Sequence, residues 1–195
     1  TRALAVDLDT GDVEAVSSTG GTVFRGEAPA VSGDGRYVAF LTLNSAFGPS
    51  WQALRKDRET GALALASANS AGQPPANGIN DNTVSISADG RYVAFQTDAN
   101  LTGIEVPDAG GHAPTGSSGE IYVKDMQSGL VERASTKSDG TASGGTCQLQ
   151  RHALSADGRF LAMICNVAML PAATNGQAYV RDLQANTTEL ISRGT

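Results

Sequence analysis

Ser87-Ala-Asp-Gly-Arg-Tyr-Val-Ala-Phe95 is written almost unchanged elsewhere in the chain, as Ser32-Gly-Asp-Gly-Arg-Tyr-Val-Ala-Phe40. It recurs more loosely as Ser155-Ala-Asp-Gly-Arg-Phe-Leu-Ala-Met163. The Asp-Gly pair makes a tight turn, because glycine accepts positive φ and aspartate bonds the local backbone. Before the turn, apolar residues alternate, as at Val84 and Ile86. After it, Tyr92 and Ala94 point one way and Val93 and Phe95 the other. A strand that is apolar on both faces has to be covered on both.

A second unit follows each copy of the first. It reads Ala53-Leu-Arg-Lys-Asp-Arg-Glu-Thr-Gly61, then Ile121-Tyr-Val-Lys-Asp-Met-Gln-Ser-Gly129, then Ala178-Tyr-Val-Arg-Asp-Leu-Gln-Ala-Asn186. A further copy, Leu4-Ala-Val-Asp-Leu-Asp-Thr-Gly11, stands alone at the front. Each unit is a hairpin, so a repeat supplies four short antiparallel strands. Repeated four-stranded sheets, each needing a neighbour on both faces, describe the blades of a β-propeller. A β-sandwich is the second choice, but it has no need of near-identical Asp-Gly-Arg hairpins at one place in every unit. Helical periodicity at i, i+3, i+4 and i+7 is nearly absent. The fold class expected is all-β.

The blades are expected at 19–68, 69–136 and 137–195, with 1–18 supplying the outer hairpin of another. A propeller needs at least about four blades to close. The ring is therefore expected to be open, as part of a larger circle whose remaining blades come from a longer parent chain or a second copy. A free-standing arc is the third option. Thr1-Arg2-Ala3, with neither methionine nor an apolar leader, reads as the start of a processed or excised chain.

Composition narrows the function. The 195 residues carry 14 Lys+Arg against 20 Asp+Glu, a net charge of -6. That balance argues against nucleic acid, whose phosphates demand a basic surface, and against a polybasic membrane contact. No apolar run is long enough to insert as a membrane span. Cys147 and Cys165 show no metal-binding spacing; they either form one bridge in an oxidising compartment or sit as two small buried hydrophobes.

The pattern Ser-x-Asp-Gly-Arg-Tyr-Val-Ala-Phe, then Tyr-Val-Lys/Arg-Asp-x-Gln, then Ala/Ile-Ser resembles the TolB-like β-propeller repeats of bacterial periplasmic and secreted proteins. The segments Asn100-Leu101-Thr102 and Ser138-Asp139-Gly140-Thr141 look like connectors of that repeat. The resemblance implies six blades in a whole ring, a periplasmic or secreted location, and roles ranging from binding scaffold to peptidase gate. The chain departs from the pattern at Gly33, at Leu54-Arg55-Lys56 and at Ala185-Asn186.

Asp34, Asp89 and Asp157 read as turn formers. Asp57, Asp125 and Asp182 are expected to bond backbone or a neighbouring strand, and Arg36, Arg91 and Arg159 to cross-link blades through those carboxylates. Asp7 to Asp12 superficially resembles a calcium loop but lacks the distal glutamate. Asn80-Asp81-Asn82 reads as a polar connector. No cofactor or metal is implied. His152 falls on the innermost strand near the central channel, where with Arg151 it meets an anionic ligand or simply lines the channel.

The middle blade carries an insertion of roughly a dozen residues within 101–120, including Glu105, Asp108 and His112. Such loops often bind partners, although a passive decoration has the same sequence. Trp51 and Phe47 in the corresponding loop of the first blade serve as an aromatic anchor or as gap fillers. The expected function is a noncatalytic binding scaffold that presents loops to a protein or polysaccharide partner. The alternative is part of a propeller hydrolase or lyase acting at the channel mouth, although no Gly-x-Ser-x-Gly elbow is present. A structural spacer in a surface protein is the third reading.

Overall fold

The computed structural model of the protein describes residues 1–75, 77–79, 83–102, 119–171 and 173–192. β1 (Leu4–Val6) and β2 (Val13–Ala15) form a two-stranded antiparallel sheet. β3 (Ser18–Thr19) and β4 (Thr22–Val23) make a small hairpin that the repeat does not announce. Three four-stranded antiparallel sheets follow. The first holds β5 (Glu27–Val31), β6 (Tyr37–Thr42), β7 (Gln52–Asp57) and β8 (Leu63–Leu65). The second holds β9 (Ser85–Ile86), β10 (Tyr92–Thr97), β11 (Glu120–Asp125) and β12 (Val131–Arg133). The third holds β13 (Cys147–Leu154), β14 (Phe160–Cys165), β15 (Gln177–Asp182) and β16 (Thr187–Leu190). Each sheet runs in sequence order from one edge to the other, as a propeller blade does.

The core lies between sheets. Val93 and Phe95 pack with Ala39, Leu41 and Ala53 of blade one, whereas Ala94 and Tyr92 pack with Leu161 and Met163 of blade three. The opposite sides of β10 thus serve different junctions, as its alternation requires. A third cluster, with Ala3, Val16, Phe40 and Leu54, joins the N-terminal sheet to blade one. Burying one large side chain of this kind contributes about 2 kcal/mol.

The Ser-x-Asp-Gly-Arg turn is held by its own side chains. Ser32 Oγ donates to Asp34 (2.6 Å) and Ser87 Oγ to Asp89 (2.6 Å), while each serine oxygen accepts the amide of Tyr37 or Tyr92 at 2.9 Å. The turns also link the blades: Gly33 N–H donates to Ala88 O at 2.8 Å, and Ala88 N–H to Ala156 O at 2.9 Å.

The Arg36–Asp57, Arg91–Asp125 and Arg159–Asp182 pairs form, at 2.8, 2.7 and 2.6 Å. They lie within each blade rather than between blades, which corrects the expectation. The register explains this: Tyr37 stands opposite Asp57, so Arg36 at the start of the second strand meets the end of the third. Bonds between blades come from other cations, two lysines among them. Lys124 Nζ bonds Gly129 O of its own hairpin at 2.6 Å and Ala68 O and Asn69 O of the preceding blade at 3.2 and 3.1 Å. Lys56 Nζ does the same with Gly61 O and Ser18 O at 2.8 and 3.0 Å.

A serine closes the outer strand of each blade and of the β1–β2 sheet. Ser17, Ser67, Ser135 and Ser192 accept the amides of Ala3, Ala53, Ile121 and Ala178 at 3.1, 3.1, 3.1 and 2.9 Å. Cys147 and Cys165 stand opposite each other on β13 and β14 and are joined as a buried disulfide.

Candidate functional site

The innermost strands of the three blades converge on a recess of about 40 Å³. Ala28, Pro29 and Ala30 of β5 line it, with Thr83 and Val84 before β9 and Arg151 and His152 of β13. Both β5 and β13 are irregular here: their pairing shifts between Glu27 and Ala30 and between Leu149 and Leu154. Ala28 and His152 adopt positive φ, 49° and 57°, at those irregularities. A β-bulge costs backbone strain and re-aims the side chain it carries. β13 is fixed to blade two on either side of its bulge, since Leu149 N–H donates to Gln96 Oε1 and Leu154 N–H to Ser85 Oγ, both at 3.1 Å. His152 and Arg151 remain exposed. The recess brings a cation and an imidazole beside apolar walls, with no carboxylate among its lining residues.

The other sequence candidates lie apart from this recess. Trp51 is half-buried just before β7, and the Arg25 guanidinium sits 4.6 Å above its ring. Arg25 is itself paired with Glu27 at 2.7 Å, so the ring is capped by the protein's own cation. Phe47 packs on Phe24 with ring centroids 5.7 Å apart. Glu105, Asp108 and His112 fall outside the described residues. At the base of that insertion, Gly119 N–H donates to Asp98 Oδ1 at 2.9 Å. Next to it, Glu120 is buried and accepts the Ser135 hydroxyl, and burial pushes its carboxyl up. Glu120 stands where the other blades have Gln52 and Gln177, each bonded to the serine of its own blade. The signal for it is the exchange of glutamine for glutamate at one place in the repeat, Gln52, Glu120 and Gln177. Among the described residues, no three His, Cys, Asp or Glu side chains gather in a way that could hold a metal ion.

A second concavity, of about 530 Å³, opens between blades two and three on the rim that carries the Asp-Gly turns. Tyr92, Val123, Glu132, Gly158 and Leu183 are among its walls. Residue-by-residue reading offers no hint of it, because it arises from what blades two and three lack relative to blade one.

No protein-family model matches the sequence, and no curated protein does. Solved structures do match. The β-propeller domain of the trilobed protease from Pyrococcus furiosus, described as having an open velcro topology, aligns over 98% of this chain and 48% of that one, with 12% identity and a TM-score of 0.53. The tricorn protease aligns over 91% of this chain and 15% of that one, with 19% identity and a TM-score of 0.52. TolB from Acinetobacter baumannii aligns over 98% and 49%, with 16% identity and a TM-score of 0.42. This chain thus spans no more than half the length of each. The protease propellers show the fold, an all-β propeller, which is what the resemblance in the repeat implies.

Proposed function

We propose that the protein is a noncatalytic binding scaffold, a section of a larger propeller whose channel end and loops meet a protein or polysaccharide partner. The observation that carries this reading is the recess at Arg151 and His152. It is small, and its remaining walls are Ala28, Pro29, Ala30, Thr83 and Val84. Acid–base or nucleophilic catalysis needs a second group oriented on the histidine within hydrogen-bond reach, and this lining supplies no carboxylate for that role. An exposed guanidinium beside an imidazole suits recognition of a carboxylate or other anion. The buried Cys147–Cys165 bridge supports a periplasmic or secreted location, where disulfides persist.

The experiment is capture of envelope proteins and anionic polysaccharides by the immobilised chain, set against the double variant Arg151→Ala/His152→Ala and a deletion of residues 106–117. Binding lost in either variant, with an unchanged melting temperature, is the expected result. Hydrolysis or elimination of a glycan or peptide substrate that vanishes with His152→Ala would sink the scaffold reading.

A further inference from the structure

The inter-blade cleft gains meaning from the two junctions that precede it. Between blades one and two, Arg55 of β7 lies 4.4 Å over the Tyr37 ring and donates to Gly90 O at 2.7 Å. Between the N-terminal sheet and blade one, Arg58 donates to Gly35 O and to Glu14, each at 2.8 Å. Both junctions therefore place a guanidinium on the carbonyl of the Asp-Gly turn glycine.

Between blades two and three the acceptors are retained. Gly158 occupies the place of Gly90 and Gly35, with φ of 72° against 70° and 74°. Tyr92 occupies the place of Tyr37. Arg91 lies 4.9 Å from the Tyr92 ring as Arg36 lies 5.0 Å from that of Tyr37, so the position taken by Arg55 on Tyr37 is left to the cleft on Tyr92. Glu132 stands opposite Val123 as Glu14 stands opposite Ala5. Both sources of the cation are gone: Val123 replaces Arg55, and Leu183 replaces Arg58. The cations nearby are engaged. Arg91 and Arg159 are paired with Asp125 and Asp182. Arg181 attracts Glu132 through its charge, but its hydrogen bonds go to Asn186 and Thr188, at 2.9 and 3.5 Å.

We propose that this cleft receives the guanidinium of an arginine presented by another protein, stacked on Tyr92 and donating to the Gly158 carbonyl and the Glu132 carboxylate. A planar cation with several fixed donors can satisfy a ring face, a carbonyl and a carboxylate together; a compact ammonium cannot. The inference names the chemistry of one contact of the scaffold proposed above. It rests on that reading only in taking the arginine to come from a partner protein.

The test is titration of the 195-residue chain with acetyl-arginine-amide, followed by backbone amide shifts. Saturating shifts centred on Val123, Glu132 and Gly158 are expected. Glu132→Gln should weaken the binding about tenfold, the worth of one charge-assisted hydrogen bond. Val123→Arg, which supplies the guanidinium from within as Arg55 does, should abolish it without lowering the melting temperature. Acetyl-lysine-amide binding as tightly, shifts centred elsewhere, or full binding by the Glu132→Gln variant would overturn the assignment. Saturation by the arginine derivative with no partner ever captured defeats the scaffold reading and leaves the receptor standing. Partner capture without any saturation does the reverse.

Discussion

A methyl group added at Gly90 would overlap the Tyr37 ring, and one at Gly158 would overlap Tyr92. Each turn glycine is the floor on which the preceding blade sets its aromatic residue, and each also holds a positive φ. Gly90→Ala should therefore cost roughly 3 kcal/mol, part backbone and part overpacking. Gly129→Ala meets open space at a similar φ and should cost about 1–2 kcal/mol from the backbone alone. Urea midpoints of the two variants make the comparison. The arginine–aspartate pairs set the response to acid. Hydrogen bonds from Arg36 and Arg159 pull the Asp57 and Asp182 carboxyls from 3.8 to about 2, and Arg91 pulls Asp125 down as well. A carboxyl depressed in the folded state contributes stability that is fully present above its unfolded value and is lost as pH falls through the folded one. Buried Glu120, whose carboxyl is pushed up, works in the opposite sense, so the urea midpoint should not fall from neutral pH to about 5 and should fall between about 4 and 2. Asp57→Asn should make that fall shallower. A midpoint that already declines at pH 6 would point to other groups.

At the level of strands and hairpins, the sequence is most legible where a side chain has one possible use. Asp-Gly-Arg fixed the first turn of each blade, and the alternation of Tyr92, Val93, Ala94 and Phe95 fixed which residue serves which junction. The hairpin of β3 and β4 stayed hidden because Ser18-Thr19-Gly20-Gly21-Thr22-Val23 carries almost no apolar signal. Arg36, Arg91 and Arg159 read as the cross-blade residues, since a lysine on a strand ordinarily reads as solvated. Lys56 and Lys124 instead reach carbonyls that precede their own blades, Ser18 O and Ala68 O. Lys124→Met should thus destabilise the protein by about 2–3 kcal/mol, the worth of charged hydrogen bonds lost from buried carbonyls, and chemical denaturation will measure it. A neutral result would mean that those carbonyls find water. For the candidate site, His152 and Arg151 were legible from counting back to the common serine. The strained bulge that aims His152 was not, because nothing in Gln150-Arg151-His152 demands a positive φ. The guanidinium receptor was hidden for a different reason: it is defined by Val123 and Leu183, apolar residues that announce no chemistry until set beside Arg55 and Arg58.

Across the whole molecule, each blade leans on the next, and the two ends show what such a junction leaves uncovered. Phe160 and Ile164 are 38% and 40% exposed, yet their counterparts Tyr92 and Gln96 in blade two are packed against blade three or bonded to it. Leu4 and Val6 are likewise exposed at the other end, where Leu54 and Lys56 of blade one are buried. Exposed apolar faces of this kind mark interaction surfaces, in keeping with further blades beyond both ends. The most direct test of side-by-side packing around an axis is amide hydrogen exchange at one repeated position. Gly33 and Ala88 donate to the turn of the following blade, and their amides bond nothing within their own sheet. Ala156 holds the same place in blade three, where no further blade is described. Slow exchange at Gly33 and Ala88 with fast exchange at Ala156 is the predicted result. Equal, fast exchange at all three would contradict the account, because no other stacking of these sheets gives Gly33 and Ala88 their partners.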